Sequence, residues 1–572
     1  MKNIPLYEVR PISNLKEMLV SSTEIFGEKP AFLVKEKGIE GYVPVSYKKF
    51  KADVDAFGTA LISLGLKDKR IALIGESRYE WAVSYLATVN GTGITVPLDK
   101  ELPVTEIESL LTRSSASAII FSGHLKEQID KILGNISSIK HYICMDDIEG
   151  QENIVSFSTL LNKGYQLMNA GDTSFIDSTI DNEAVSMLLF TSGTTDQSKA
   201  VMLSHSNICS NLMAMCSMLY IDSSDTFLSI LPIHHTYECT CGFLCPLYRG
   251  STIAHCEGLR HIVKNLQESK ATVMLGVPLI FEAMYKRIWD TAAKKPGMVK
   301  KLKIAIKVSN ALRKLNINLT KKLFALVHNN FGGKIRLFIS GAAAIDPEVP
   351  KGFRSLGIHM VQGYGLTECS PIVALNRDVD FNDRAAGLPL PNLEVKIDNP
   401  DDDGIGEIIV KGSSIMKGYY ENEEANRKVF KDGWFHTGDA GYMDKEGFIY
   451  ITGRKKNVIV TKNGKNIYPE EIETLIANSP CIKESMVYGK EDESSGDVVV
   501  SCIVVPDMEN INAILGEGEA SPEKVKQIIH AEIKTVNSKL VNYKHIKNIH
   551  IRDNELAKTT TKKIKRFMEE KV

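Results

Sequence analysis

One third of the way along the chain, an apolar run leads into a cluster of small and hydroxyl-bearing residues. The segment from Leu188 to Ala200 reads LLFTSGTTDQSKA, with small or hydroxyl side chains at 191–195 and a cation at Lys199. Small side chains let backbone N–H groups approach phosphate oxygens, hydroxyls donate further hydrogen bonds, and a lysine adds positive charge. The segment is not a Walker A loop, because no glycine precedes the lysine and an alanine follows it. It indicates a phosphate-binding loop of another kind, with a plain surface loop as the alternative.

Further motifs that combine small, acidic and basic residues follow this loop. They are Leu231-Pro-Ile-His-His-Thr-Tyr-Glu238, Ser340-Gly-Ala-Ala-Ala344, Gln362-Gly-Tyr-Gly-Leu-Thr-Glu368, Trp434-Phe-His-Thr-Gly-Asp439, Gly453-Arg-Lys-Lys456 and Lys558-Thr-Thr-Thr-Lys-Lys-Ile564. Their order resembles the superfamily of adenylate-forming enzymes over nearly the whole chain, from about Ser46 to Arg566. The 231–238 motif is similar to the L-P-x-x-H-x-x-E of long-chain fatty-acyl-CoA synthetases, and a basic helical insertion before Gly332 points to the same group.

The resemblance implies a two-step ATP-dependent ligase that activates a fatty acid, with a long chain as the expected length. A carboxylate attacks the α-phosphate of ATP to give acyl-adenylate and pyrophosphate, and the CoA thiolate then attacks the mixed anhydride. ATP, Mg²⁺ and CoA are the implied cofactors and co-substrates. Transfer of the acyl group to a carrier protein is one alternative. Related ligases that serve carrier proteins typically carry an insertion that hampers domain rotation. None appears between Asp439 and Arg454, which favours CoA as the acceptor. A non-enzymatic nucleotide- or fatty-acid-binding protein is another.

The same resemblance assigns an ATP/AMP site residue by residue. Tiny side chains near Gly341 would leave room for adenine, Tyr364 would stack on it, and Asp439 with Arg454 would bind the ribose. The family's usual T-S-G-T-T-G-x-P-K-G is altered at Asp196, Ser198 and Ala200, and we expect Asp196 to point away from pyrophosphate. The complete implied set is Thr191, Ser192, Gly193, Thr194, Thr195, Lys199, Gly341, Ala342, Ala343, Gly363, Tyr364, Gly365, Thr367, Asp439 and Arg454.

Four residues are implied to take part in catalysis: Lys563, Thr367, Glu368 and His235. Lys563 aligns with the family's K-T-x-x-G-K-I-x-R lysine, whose ammonium neutralises charge as carboxylate attacks phosphorus. Its lysine neighbours at 558, 562 and 565 leave the register open, and a solvated basic tail is the alternative. Thr367 would bind the α-phosphate and Glu368 would hold Mg²⁺, because hard cations prefer carboxylates.

Three further positions receive a role or an alternative. His235 would lie where the acyl group meets the nucleotide, gating a fatty-acid tunnel, and a satisfied core histidine is the alternative. Lys456 falls at the family's hinge, about which a small domain rotates. Gly464 would let the pantetheine arm of CoA pass close to the backbone.

Alternating strand and helix patterns must position these residues. From Ser46, apolar residues at helical spacing predict a helix that stops at Gly65. Strands are predicted at 70–75, 94–98 and 118–121, with a helix over 79–89 between the first two. The order predicts an α/β fold with a large N-terminal domain of parallel-type strands between helices. A shift to short strands predicts a small mobile α+β lid, giving an AMP-binding domain at 1–452 and a C-terminal domain at 453–572.

Composition limits the partners. The 572 residues carry 69 Lys and Arg against 70 Asp and Glu, a net charge of −1, so a nucleic-acid partner is not expected. With neither a signal-peptide pattern nor an apolar run of spanning length, a cytoplasmic protein is expected. Ten cysteines suit a reducing compartment. Those at 239, 241 and 245 near two histidines suggest zinc, but buried small apolar side chains are the favoured interpretation.

One basic segment stands apart. Residues 294–322 hold ten Lys or Arg, and no acid occurs between Thr291 and Ile345. Apolar residues at helical spacing predict an amphipathic helix, through Leu302, Ile306, Leu312, Leu315, Leu319, Leu323 and Leu326. We favour a surface helix packed on the core with solvated lysines, and peripheral contact with an anionic membrane is the alternative.

Overall fold

The computed structural model describes residues 5–148, 153–191, 198–461, 465–491, 498–516, 521–558 and 564–569. In chain order its strands are β1 (Pro30–Val34), β2 (Val43–Ser46), β3 (Lys69–Ile74), β4 (Gly93–Leu98), β5 (Ala118–Phe121), β6 (His141–Cys144), β7 (Ile154–Ser156), β8 (Val185–Thr191), β9 (Lys199–Ser204), β10 (Thr226–Ser229), β11 (Thr252–His255), β12 (Val273–Gly276), β13 (Leu337–Ser340), β14 (His359–Gly365), β15 (Ile372–Leu375), β16 (Leu388–Pro389), β17 (Leu393–Asp398), β18 (Gly406–Gly412), β19 (Gly418–Tyr419), β20 (Phe430–Lys431), β21 (Trp434–Met443), β22 (Ile449–Arg454), β23 (Ile459–Val460), β24 (Asn466–Ile467), β25 (Ile482–Glu491), β26 (Val498–Pro506) and β27 (Ile546–Ile551).

The α-helices are α1 (Leu15–Phe26), α2 (Tyr47–Ser63), α3 (Tyr79–Ala87), α4 (Val104–Arg113), α5 (Lys126–Ile132), α6 (Phe157–Asn169), α7 (His205–Met218), α8 (Cys245–Arg249), α9 (Ile262–Ser269), α10 (Pro278–Ala293), α11 (Met298–Lys314), α12 (Thr320–Leu323), α13 (Ala325–Asn330), α14 (Glu348–Ser355), α15 (Glu423–Val429), α16 (Pro469–Ile476), α17 (Met508–Leu515), α18 (Pro522–Asn537) and α19 (Arg566–Glu569). Two segments are π-helical, Thr88–Thr92 and Tyr237–Leu244. Short 3₁₀ turns lie at Gly123–Leu125, Leu259–His261, Thr367–Cys369, Lys455–Asn457 and Asn542–Lys544.

Two large sheets form the N-terminal part. The first has the order β19-β9-β8-β4-β3-β5-β6-β7, and its strands from β8 to β7 in that order run parallel. The second has the order β16-β15-β14-β13-β12-β10-β11-β1-β2, with parallel strands from β14 to β1. The predicted α/β class with parallel strands is therefore confirmed.

Helices cover both faces of each sheet. Within β3, Ile71 and Leu73 face the core between the sheets, which also holds α2, α3 and α7. The alternate residues Ala72 and Ile74 face α4 and α5 on the outer side. The outer face of the second sheet packs on α9, α10 and α14. This double coverage explains why the strands are continuously apolar in sequence.

The predicted elements of the first sheet lie where the sequence pattern places them. Helix α2 begins after Ser46, whose side chain accepts a hydrogen bond from the Lys49 N–H. Its end is followed by Gly65 at a φ of 77°, a left-handed conformation that glycine adopts without strain. The strands predicted at 94–98 and 118–121 match β4 and β5 to within a residue.

A third, antiparallel sheet carries two of the predicted site residues. Its order is β17-β18-β21-β20, with β22 also paired to β21. Asp439 on β21 is opposite Arg454 on β22, and Gly453 pairs with Ala440. The C-terminal part has its own small sheet of β25, β26 and β27, which packs with α16 and α18 around a separate core. The α+β character predicted for this part is confirmed, whereas the boundary at 453 stays a prediction.

The basic segment forms a helix that is shorter than its pattern indicates. Helix α11 ends at Lys314, and the prediction of one continuous helix beyond this residue is wrong. Asn316 has a φ of 59°, which interrupts the helix, and the chain then forms the short helices α12 and α13. On α11, Leu302 and Ile306 are half-buried and Ser309 is fully buried. Helix α11 is therefore a surface helix that packs against α10 and α14.

The cysteines near the histidine pair lie in the core. Cys239, Cys241 and Cys245 are buried free thiols, as the interpretation of small apolar side chains predicts. Burial raises the pKa of Cys239 to about 12. In the described part of the chain, no helix combines the length and apolar character needed to span a bilayer.

Candidate active site

The ends of β13 and β14 bring two glycine-containing motifs together at the carboxyl edge of the second sheet. Gly341 follows β13, and a Cβ there would lie 2.8 Å from Cζ of Tyr237, so this ring packs directly on the glycine. Ala342 and Ala343 are exposed, and Ala342 has a φ of 71°. A non-glycine residue in the left-handed region is strained, and such strain is concentrated at functional sites. The small side chains thus leave an open edge beside the sheet.

A buried carboxylate joins the second and third sheets. The hydroxyl of Tyr364 donates to Oδ2 of Asp439 at 2.7 Å, and Nε of Arg454 lies 2.8 Å from Oδ1. Asp439 is only 5% exposed. Burial and the nearby Asp439 carboxylate raise the pKa of Tyr364, so its phenol keeps the proton that it donates. These three residues of the predicted nucleotide set are therefore in direct contact.

The glycines on either side of Tyr364 allow close packing of β14 on its neighbour. A Cβ at Gly365 would lie 2.0 Å from the carbonyl oxygen of Pro371, and one at Gly363 would lie 3.1 Å from that of Ala374. Gly365 therefore leaves no room for a side chain, and Gly363 leaves little.

A second cluster links Lys199, the lysine of the predicted phosphate loop, to the predicted Mg²⁺ carboxylate of Glu368 through Tyr419. The hydroxyl of Tyr419 donates to Oε1 of Glu368 at 2.9 Å. Nζ of Lys199 lies 4.8 Å from the centre of the same ring, within cation–π range. Burial and the Glu368 carboxylate raise the pKa of Tyr419. Tyr419 was not among the predicted site residues, because only the pairing of β19 with β9 brings it there.

The histidine motif meets the 362–368 motif through two threonines. Oγ1 of Thr236 donates to Oγ1 of Thr367 at 3.3 Å. The preceding His235 is half-buried, and its ring centre lies 4.1 Å from that of His234. Nε2 of His234 lies 3.5 Å from Oδ2 of Asp99. The structure therefore brings His235 next to the Thr367 region, and adds a His–Asp contact that sequence reasoning missed.

Glu238, the last residue of the histidine motif, is a buried acid. It is 1% exposed, and Oε1 accepts a hydrogen bond from the Ser229 hydroxyl at 2.6 Å. Burial raises its pKa to about 8. A protonated carboxyl near neutral pH is therefore buried three residues after His235 in the sequence.

Several predicted residues lie outside the described part of the chain. Thr191 and Lys199, which are described, flank the predicted phosphate loop as Cα partners, and Oγ1 of Thr191 donates to the Lys199 carbonyl at 3.3 Å. The residues named in the sequence analysis that lie outside the described part of the chain are Ser192, Gly193, Thr194, Thr195, Asp196, Gly464 and Lys563.

The two other altered loop positions, Ser198 and Ala200, and the predicted hinge residue Lys456 are described. Arg113 donates to the carbonyl of Ser198 at 2.7 Å, and Ala200 is buried opposite Phe190. Lys456 lies in the 3₁₀ turn directly after β22. Its neighbour Lys455 forms an ion pair with Glu407 at 2.8 Å.

Comparisons with known proteins agree over most of the chain. A family model described as AMP-binding enzyme matches residues 21–420, and one described as AMP-binding enzyme C-terminal domain matches 471–563. Long-chain-fatty-acid–CoA ligase 5 of Rattus norvegicus is 30% identical over 509 residues, covering 82% of this chain and 72% of the relative. The long-chain-fatty-acid–CoA ligase of Escherichia coli O6:H1 is 26% identical over 540 residues, covering 87% of each chain.

The fold is shared with a solved structure. The anthranilate CoA ligase AuaEII, solved in complex with anthranoyl-AMP, superposes with a TM-score of 0.77 at 20% identity, covering 100% of this chain and 98% of that one. That likeness shows the common fold.

The raised pKa of Glu238 makes stability depend on pH. The unfolded chain loses this proton near pH 4.5, whereas the folded protein keeps it until about pH 8. Between about pH 4.5 and about pH 8, Glu238 therefore lowers the free energy of unfolding as the pH rises, by up to roughly 1.4 kcal/mol per pH unit. Above about pH 8 its contribution no longer changes with pH. We expect Glu238→Gln to raise Tm more at about pH 8 than at about pH 5, measured by calorimetry.

The exposed Glu24 on α1 provides the matched control. Glu24→Gln should change Tm equally at both pH values. An equal change in Glu238→Gln at the two pH values would show that the native carboxyl has an ordinary pKa.

Proposed function

Because the chain belongs to the AMP-binding enzyme family, we propose that it is an AMP-forming acyl-CoA synthetase that activates a fatty acid, with a long-chain acid as substrate. The observation that carries this proposal is the contact of Tyr419 with both Lys199 and Glu368. The ring of Tyr419 contacts Lys199, the proposed phosphate ligand, and its hydroxyl binds Glu368, the proposed metal ligand. The similarity to the rat and E. coli ligases supports the long-chain preference.

The first half-reaction forms an acyl-adenylate. A carboxylate oxygen attacks the α-phosphorus of ATP, and the bond to the bridging oxygen breaks to release pyrophosphate. Thr367 hydrogen-bonds the α-phosphate, while Asp439 and Arg454 bind the ribose. Although Asp439 already accepts from Tyr364 and Arg454, a carboxylate has about four lone-pair sites and can accept ribose hydroxyls as well.

In the second half-reaction the thiolate of CoA attacks the carbonyl of the adenylate, and AMP leaves as the thioester forms. We propose that the lid assigned to residues 453–572 rotates on residues 1–452 about Lys456 between the two steps, while Gly453 and Arg454, which precede this hinge, stay paired with β21. Gly464 then borders the path of the pantetheine arm. His235, beside the Thr236–Thr367 contact, gates the acyl site.

The residues present fit Mg²⁺. Glu368 offers a carboxylate in the same cluster as Lys199, since both contact Tyr419. Oxygen ligands suit this hard cation. When bound, Mg²⁺ would neutralise charge on the phosphate oxygens. Tyr419 orients the carboxylate for it by occupying Oε1.

The proposal is tested with purified protein and a panel of carboxylates from acetate to palmitate. Carboxylate-dependent exchange of labelled pyrophosphate into ATP is expected, with the highest rates for long chains. Thioester formation with free CoA distinguishes a CoA ligase from an enzyme that loads a carrier protein. If no carboxylate supports exchange, the chain is a binding protein and the proposal is wrong.

Removing the hydroxyl of Tyr419 should slow adenylation. Tyr419→Phe keeps the ring under Lys199 but removes the hydrogen bond to the charged Glu368, and such bonds contribute about 1.5–3 kcal/mol. We expect kcat/KM for pyrophosphate exchange to fall by roughly tenfold to a hundredfold. The adjacent Tyr420, whose ring lies under Arg70, provides the control Tyr420→Phe. Equal losses in the two variants would exclude a specific role for Tyr419.

The lysine assigned to the first half-reaction gives a separate prediction. Lys563→Ala should reduce adenylation by roughly a hundredfold or more, because a positioned charge on the transition state is lost. Thioester formation from pre-made acyl-adenylate should change much less, since rotation carries the lysine away. Lys562→Ala tests the register, and a larger loss there would transfer the role to Lys562. Equal losses in both half-reactions would contradict the assignment.

A further inference from the structure

A cavity of about 140 Å³, the amino-edge cavity, lies at the amino edge of the second sheet. Arg336, which directly precedes β13, and His359, which begins β14, both line it. Gly341 and Tyr364 of the candidate active site lie toward the carboxyl ends of the same two strands. His359 and Tyr364 are five positions apart on β14, a separation of roughly 17 Å. The cavity is therefore distinct from the predicted nucleotide site.

Every polar side chain that lines the amino-edge cavity carries a hydrogen-bond donor. The set holds three arginines, a histidine, an amide and a hydroxyl: Arg313, Arg336, Arg354, His359, Asn318 and Thr320. No carboxylate is among the described residues that line it. Such a lining favours an anion with several acceptor oxygens.

Two of the arginines are held in position by acids that do not line the cavity. Nε and Nη2 of Arg336 donate to the two carboxylate oxygens of Asp225, at 2.8 and 2.5 Å. Nη2 of Arg354 donates to Asp383, and its Nη1 donates to the Met360 carbonyl at 3.0 Å. A guanidinium has N–H groups on all three nitrogens. Nη1 of Arg336 and Nε of Arg354 therefore have no acceptor among the described residues.

Arg313 adds a charge that no acid pairs with in the described part of the chain. It lies in the last turn of α11, is exposed, and donates from Nη1 to the Arg354 carbonyl at 2.7 Å. This contact holds one edge of its guanidinium at the cavity and leaves Nε and Nη2 for a ligand.

His359 adds a buried donor or acceptor that lacks a partner. Nε2 of this ring is buried and has no hydrogen-bond partner among the described residues. Burial, with Arg354 and Arg336 nearby, lowers the pKa of His359, so the ring is neutral near pH 7. A buried polar atom without a partner costs free energy, and an oxyanion in the cavity would supply an acceptor for an N–H of this ring.

We propose that the amino-edge cavity binds the phosphate group of inorganic phosphate or of a small phosphomonoester. The forked donors of arginine match the geometry of phosphate oxygens, and several of them converge here. The volume equals that of roughly five water molecules at about 30 Å³ each, which suits the five non-hydrogen atoms of phosphate. Arg313 and Asn318 are exposed, so the cavity opens to solvent beside them.

Calorimetric titration of the full chain with inorganic phosphate tests the proposal. The buffer contains saturating α,β-methylene-ATP, which fills the proposed nucleotide site and cannot be cleaved to AMP. We expect one phosphate to bind per chain, and phosphate to raise Tm more than chloride of equal ionic strength. A parallel titration with glycerol 3-phosphate distinguishes the two sources of the phosphate group. Tighter binding of the ester would identify a phosphomonoester, and weaker binding would identify the free ion.

Arg313 provides the test variant because it is exposed and outside the acid-paired arginines. Arg313→Gln should weaken phosphate binding by about tenfold or more, since a charged donor is lost, and Arg313→Lys should lose less. Arg260, an exposed arginine in the 3₁₀ turn Leu259–His261, gives the matched control, and Arg260→Gln should leave binding unchanged. Unchanged Tm without phosphate verifies that the variants fold.

Three results would overturn the proposal. These are absence of phosphate binding in the presence of the nucleotide analogue, an equal rise of Tm with chloride, and equal losses in Arg313→Gln and Arg260→Gln. Phosphate binding that the analogue abolishes would also overturn it and assign the phosphate to the nucleotide site. Because the titration needs no turnover, binding that depends on Arg313 would stand even if no carboxylate supported pyrophosphate exchange.

Discussion

The arrangement of the predicted nucleotide site depends on the contacts of the buried Asp439 carboxylate. A carboxylate that is 5% exposed is costly unless its charge is paired and its oxygens accept hydrogen bonds. Tyr364 from the second sheet and Arg454 from the end of the third sheet meet both requirements. The cost of leaving Asp439 unpaired therefore holds β14, β21 and β22 together, and with them the predicted adenine and ribose residues.

Much of the fold was visible in the sequence because it is encoded locally. The cap at Ser46, the stop at Gly65 and the apolar runs of β4 and β5 each depend on a few neighbouring residues. The contact of Tyr364 with Asp439 was not encoded this way, since it joins residues on different sheets. Motif resemblance assigned both residues to the nucleotide site, but it did not predict the hydrogen bond between them.

Two features escaped sequence reasoning for physical reasons. Tyr419 reaches Glu368 only because the two-residue strand β19 pairs with β9, and no local pattern announces a strand so short. On α11, the helical spacing of Leu302 and Ile306 predicts one apolar face. The spacing could not show that the apolar side chains of Ile304 and Val308 are exposed to solvent. A pattern of apolar residues around most of a helix does not reveal which face packs on the core.

Glu238 is a buried acid in an irregular helical segment close in sequence to the predicted site. It lies in the π-helical segment Tyr237–Leu244, directly after the His235-Thr236 pair, and π-helical turns frequently occur at functional sites. Gly242 allows the acid to fit, because a Cβ there would lie 2.6 Å from the carboxyl carbon. A neutral carboxyl bound to Ser229 can occupy such a site at lower cost than a charged one. The burial that raises its pKa therefore lowers the free energy of unfolding as the pH rises from about 4.5 to about 8.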